Sequence, residues 1–170
     1  MRYVVPAMLM LMAVSGCGMN GKMKRLSDNE RDHFYALKVY MNKDVQKTFL
    51  RFKTEGERNA FLQERGLWER FYKYDQRIRD MIVAGEVQEG WGEDQMFMAW
   101  GEPYDRRRLT GRPASRSELF VYRFEVASDG VVRVWNPSSK TAYKAVDFYQ
   151  VNVYVDDERI SEMQRKEDWD

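Results

Sequence analysis

Val83 to Pro103 reads VAGEVQEGWGEDQMFMAWGEP, and the texture of the chain changes across it. Gly90-Trp91-Gly92 reads as a turn. Glu93 and Asp94 then open a short helix, where their charges suit the positive end of the helix dipole. Met96, Phe97 and Trp100 are its apolar anchors. Gly101 ends the helix, and Pro103 prevents it from resuming. Apolar residues recur at helical spacing before this stretch and alternate after it, so the expected class is α+β. A helical N-terminal half leads into a short helix and a three-stranded antiparallel sheet.

On the N-terminal side, Ser27-Asp28-Asn29-Glu30 is a capping box. A helix should follow it, with Phe34, Leu37 and Tyr40 or Met41 on one face. Asn42 reads as a second N-cap, ahead of a stripe of Val45, Phe49 and Phe52. Thr54 and Glu57 repeat the capping box, Phe61 and Leu62 anchor the third helix, and Gly66 stops it. A fourth helix is expected over 67–84. Its buried face would carry Trp68, Phe71, Tyr74 or Asp75, Ile78, Met81 and Ile82, and Gly85 would be its C-terminal cap. His33 falls among charged residues in the first turns and reads as a surface side chain.

On the C-terminal side, Leu119–Val126 alternates, Asp129-Gly130 is a turn, and Val131–Trp135 returns as a hairpin partner. Asn136-Pro137-Ser138-Ser139 breaks the sheet. Ala145–Val155 is the third strand, with Tyr149, Val151, Val153 and Val155 facing the helices. Phe148, Gln150, Asn152 and Tyr154 face the other way, onto a mixed and exposed surface. Asp156-Asp157 is a turn, and an acidic tail covers 161–170. Tyr104–Ser117 reads as a loop that carries Arg106, Arg107, Arg108, Arg112 and Arg116 against one acid, Asp105.

The chain begins MRYVVPAMLMLMAVSGC. Arg2 is a short positive segment, Val4 to Val14 an apolar core, and Ser15 and Gly16 are small residues at a cleavage site. The apolar run is shorter than the roughly 20 residues a membrane-spanning helix needs. Residues 1–16 are therefore expected to be a signal peptide, and residues 17–26 a flexible tether ahead of a helical segment 27–84 and a compact region 85–160. Val14-Ser15-Gly16-Cys17 resembles the lipobox of bacterial lipoproteins. The resemblance implies cleavage before Cys17, a diacylglyceryl group on its thiol and N-acylation of the new terminus. These covalent lipids, palmitate among them, are the only added groups expected. Gly18 stands where an Asp would favour retention in the inner membrane, so the resemblance implies the periplasmic face of the outer membrane.

The motif residues Gly85, Val87, Gly90, Trp91, Gln95, Trp100, Gly101 and Pro103 are similar to those of the SmpA/OmlA (BamE) family of small outer-membrane lipoproteins. That resemblance spans 81–160 and implies two helices packed on a three-stranded antiparallel sheet. Trp91 replaces the family's usual Met, and Gly92 its Thr or Ser. A looser resemblance is to proteins with a GWxTD domain, with Gly-Trp kept and Thr absent.

Composition narrows the function classes. The chain has 28 basic and 27 acidic side chains, one His and one Cys. Without residues 1–16 it loses only Arg2 and is neutral, which argues against nucleic acid as a partner. One Cys and one His argue against a metal centre. Charge is uneven: residues 22–80 hold 15 basic and 10 acidic groups, and residues 156–170 hold 3 and 7. No Ser/His/Asp set, Cys/His pair or phosphate loop is present, so a catalytic site is not expected. The expected function is that of a non-enzymatic interaction or scaffold protein in envelope assembly, held on the membrane by lipid and bound to an envelope protein. The alternative is a module for anionic lipid or peptidoglycan, in which the arginines of 106–116 fork onto phosphate or carboxylate.

Overall fold

The computed structural model describes residues 19–135, 137 and 145–167. The leader, Cys17 and most of the Asn136–Ser139 breaker lie outside these residues. Among the described residues the class is α+β, with seven α-helices and a five-stranded antiparallel sheet.

The expected helix starts fold as their caps dictate. Helix α1 is Met19–Met23, and α2 is Asp28–Leu37. At the start of α2 the Ser27 side chain accepts from the Glu30 N–H, and the Glu30 carboxylate accepts from the Ser27 N–H. A 3₁₀ turn, Lys38–Tyr40, leads to α3, Lys43–Phe49, capped by Asn42. Helix α4 is Glu55–Glu64, behind the Thr54–Glu57 box, and Gly66 lies beyond it at φ +64°. The single helix expected over 67–84 is two: α5, Leu67–Tyr72, and α6, Gln76–Ala84. Asp75 divides them. Its carboxylate accepts from the Ile78 N–H at 2.9 Å, and an Asp bonded in this way caps a new helix rather than continuing the old one. Asp75 is accordingly exposed and not part of the buried face. Helix α7 is Glu93–Trp100.

The tether is shorter than expected. Residues 19–23 are helical and Leu26 is buried in the core, so the fold begins before the Ser27 cap. His33 also departs from expectation: it is 1% exposed. Positions 30, 33, 34 and 37 share one helix face, and the tertiary partners of α2 cover all four. Glu30 is buried beside Arg58 of α4, which ion-pairs with it.

The strands are β1 (Asp105–Leu109), β2 (Ser117–Ala127), β3 (Val132–Val134), β4 (Ala145–Asp156) and β5 (Arg159–Lys166). β4 runs along one side of β2, while β1 and β3 share its other side. β5 pairs with β4 beyond a tight turn in which Asp157 and Glu158 have φ of 48° and 68°. Two of the five strands correct the sequence reading. β1 occupies the segment read as an arginine loop. It is an edge strand of mostly exposed charged side chains, so its composition carries no apolar alternation. β5 occupies most of the segment read as an acidic tail. Its inward residues, Ile160 and Met163, pair with Val155 and Val153. They are three apart because a bulge inserts Ser161, and the bulge hides the two-residue period.

The inner sheet face carries Phe120, Tyr122, Phe124, Val151, Val153 and Val155, as alternation requires. It shares one hydrophobic core with Phe34, Leu37, Phe49, Leu62 and Phe71 from the helical half. The outer face is more covered than expected: Asn152 is buried, and Gln150 and Tyr154 are half-buried.

Candidate functional site

The five arginines of 106–116 do not converge on one site. Arg106 grips Glu118 with two bonds, at 2.9 and 2.8 Å, and reaches Glu93 at 3.4 Å. Arg107 bonds Asp105 at 2.5 Å. Arg112 grips Asp156 at 3.1 and 2.8 Å and lies over the Tyr154 ring. Arg116 pairs with Glu118 at 2.6 Å and with Glu158 at 3.8 Å. Arg108 is exposed and has no carboxylate partner among the described residues. Four of the five cations are therefore neutralised, Arg107 by Asp105 of its own strand and the others by acids from β2, from the end of β4 and the turn after it, and from the start of α7. The hydrogen bonds from Arg106 and Arg116 hold the Glu118 carboxyl below its ordinary value. Burial pushes Glu93 up instead, although Arg106 pulls against it. The Asp156 carboxyl is held well down by bonds from Arg112, Ser117 and Ser161.

The Gly-Trp motif acts as a fastener. Gly90, at φ +86°, donates its N–H to the Ile160 carbonyl at 2.8 Å, and the Ile160 N–H donates to the Trp91 carbonyl at 2.8 Å. Residues 90–92 thus lie alongside the start of β5, with an antiparallel bridge between Gly92 and Arg159. The expected turn is confined to its first residues, and beyond them the backbone is extended. The Trp91 side chain sits in the core. At the other end of α7, Trp100 donates from Nε1 to the Gly85 carbonyl at 2.7 Å and packs edge-on against Tyr122 and Phe124. Tyr122 donates its hydroxyl to the Gly101 carbonyl at 2.9 Å, just before Pro103. Gly90 and Trp91 therefore precede α7, while Trp100, its last residue, stands with Gly101 and Pro103 at the far end of about 12 Å of helix. They hold the two ends of one element rather than forming a pocket.

Asp94 ties the two halves together. Its Oδ1 accepts from the Tyr40 hydroxyl at 2.8 Å and from Arg70 at 2.9 Å, and its Oδ2 accepts from Lys73 at 2.8 Å. Burial alone would raise its carboxyl, but these bonds outweigh burial and lower it. The same burial and the facing carboxylate push the Tyr40 phenol up.

A groove of about 750 Å³ lies at the seam between the helical half and the sheet. Ala36, Ile82, Met98, Trp100 and Phe124 form an apolar lining, while Asp32, Lys38 and Arg133 contribute charge. Tyr35 and Val83 beside it are 53% and 44% exposed, large apolar side chains left in solvent. Sequence reading missed this groove. The available signal was the apolar character of Tyr35 and Val83, which lie off the buried faces of α2 and α6.

His33 lies outside this groove, among Trp68, Phe71 and Tyr72, with Nε2 at 2.7 Å from the Tyr72 hydroxyl. Burial lowers its pKa, against the pull of Glu30. Among the described residues no three His, Cys, Asp or Glu side chains are placed to hold a metal ion, and no helix is long and apolar enough to cross a membrane. Set against protein-family profiles, curated proteins and solved structures, the chain matches none.

Proposed function

We propose that this protein is a lipoprotein of the bacterial envelope, anchored through lipid on Cys17 and acting as a non-enzymatic scaffold that docks another envelope protein. The anchor is read from Val14-Ser15-Gly16-Cys17. An outer-membrane position and a role in envelope assembly follow from the lipobox and from the SmpA/OmlA-like motif. The observation that carries the docking role is the apolar groove at the seam. A catalytic cleft needs polar reacting groups that converge on one point. This groove offers an apolar lining with a few charged groups, which suits the side chains of a protein segment.

The test is affinity capture from solubilised envelopes, with wild-type chain and with Val83→Glu. The expected result is a stoichiometric protein partner that wild type retains and Val83→Glu loses. Equal capture by both would remove the groove from the proposal, and co-purified glycan or lipid without a protein would favour the alternative module. Cys17→Ser should leave the membrane fraction. The arginine segment has no observation of its own in favour of anion binding, because acids within the fold already meet four of its five guanidiniums.

A further inference from the structure

A second concave surface lies at the end of the fold nearest the expected anchor. It encloses about 260 Å³ and is lined by Lys22, Arg25, Arg51, Lys53 and Arg58 over a floor of Leu26, Leu50 and Phe52. Among the described residues no carboxylate lines it. Lys22, Arg25, Arg51 and Lys53 make no ion pair among the described residues, whereas four of the five arginines of 106–116 do. Two acids beside it are already engaged. Glu57 accepts from the backbone N–H groups of Lys53 and Thr54, and Glu30 is taken up by Arg58 and the Ser27 N–H.

The frame beneath these cations is rigid. The buried Arg58 donates to the Phe52 carbonyl at 2.6 Å and pairs with Glu30, so it pins the 50–53 segment to α2. Arg31 donates to the Leu26 carbonyl at 3.0 Å and fixes the other wall. Phe52 packs on Phe61, with ring centroids 5.3 Å apart.

Position identifies the occupant. Lys22 follows Cys17 by five residues, a reach of at most about 17 Å even for extended chain. Residues 19–23 are helical, which shortens it further. A lipid on Cys17 therefore holds this basic surface close to the headgroup layer. We propose that Lys22, Arg25, Arg51 and Lys53 form a headgroup site for an anionic phospholipid of the membrane that bears the anchor. The phosphate sits among the four cations, and the upper acyl or glycerol carbons lie against Leu26, Leu50 and Phe52. This inference rests on the lipoprotein reading. Each cation near an anionic surface strengthens attachment about fivefold, so the site would also orient the domain, with the seam groove free for a partner.

The test uses the acylated chain purified from membranes, with the modification of Cys17 read by mass spectrometry. Amide hydrogen exchange over 21–26 and 50–54 is followed in vesicles of phosphatidylcholine alone and of phosphatidylcholine with phosphatidylglycerol. Exchange should slow at least several-fold in the anionic vesicles. High salt should abolish the effect, as should Arg25→Gln, Arg51→Gln and Lys53→Gln combined. These side chains are exposed, so the triple variant should fold like wild type. Equal exchange in the two vesicles, or protection that survives the triple variant, would overturn the site. Equal protection by inorganic phosphate with neutral vesicles would overturn the lipid assignment. An unmodified Cys17 would sink the anchor alone, and phosphatidylglycerol-dependent sedimentation of the same chain would still decide the headgroup site.

Discussion

In the helical half a buried arginine meets a buried glutamate, while in the sheet half the arginines meet their carboxylates at the rim. Arg58 and Glu30 are 7% and 3% exposed in their side chains; Arg106 and Arg107 are 39% and 68% exposed. The same chemistry thus has different energetic weight. Breaking a buried pair strands a charge in a medium that cannot solvate it, whereas an exposed partner returns to water. The halves also differ in how they are specified. The helices are bounded by local caps, Ser27, Asn42, Thr54 and Asp75, each read by its own next turn. The strands are specified by partners far along the chain, such as β2 with β4 and residues 90–92 with β5.

The largest effect should come from Arg58→Met, which leaves Glu30 buried and unpaired. A loss of about 3–5 kcal/mol is expected in chemical denaturation. Adding Glu30→Leu should recover much of it, and failure to recover would mean that Arg58 acts mainly by holding the Phe52 carbonyl.

Next is pH. The folded His33 has a pKa below the ordinary 6.5. The unfolded chain therefore takes up this proton first as pH falls. Stability from His33 is fully present above about pH 6.5 and is lost as pH drops through the folded pKa. Comparing thermal midpoints of wild type and His33→Phe between pH 7 and 5 checks this: the wild-type midpoint should fall more steeply than that of the variant. Parallel curves would show that the helical half does not titrate through His33.

Asp94→Asn loosens the joint between the halves. About 1–2 kcal/mol should be lost, less than for Arg58 because Arg70 and Lys73 are nearly half exposed. Hydrogen exchange should rise in α7 before it rises in β4. Ser27→Ala removes one cap and should cost about 1 kcal/mol, read by equilibrium unfolding. Arg107→Gln sits at the bottom of the series, at no more than about 0.5 kcal/mol. A larger loss there would erase the contrast between core and rim.

The local signals were legible because their causes lie within a few residues. Capping boxes, the αL glycines at 66 and 85, the Asp129-Gly130 turn and the alternation of β2 and β4 all follow from side chains acting on their own neighbourhood. Three other features had no such signal. β1 and β5 carry too few apolar residues, or a bulged spacing, and become strands only by pairing with β2 and β4. His33 and Glu30 go inside because α5 and α4 arrive to cover them. Arg106, Arg112 and Arg116 looked free because the acids that neutralise them, Glu118, Asp156, Glu158 and Glu93, are supplied by other strands, by the β4–β5 turn and by α7, whereas Arg107 takes Asp105 of its own strand. Conversely, the cations at 22, 25, 51 and 53 are scattered along the chain and gather only when Arg58 folds one wall onto the other. Short-range hydrogen bonding and periodicity are written residue by residue. Which charge meets which, and which is left for a partner, is decided by long-range packing.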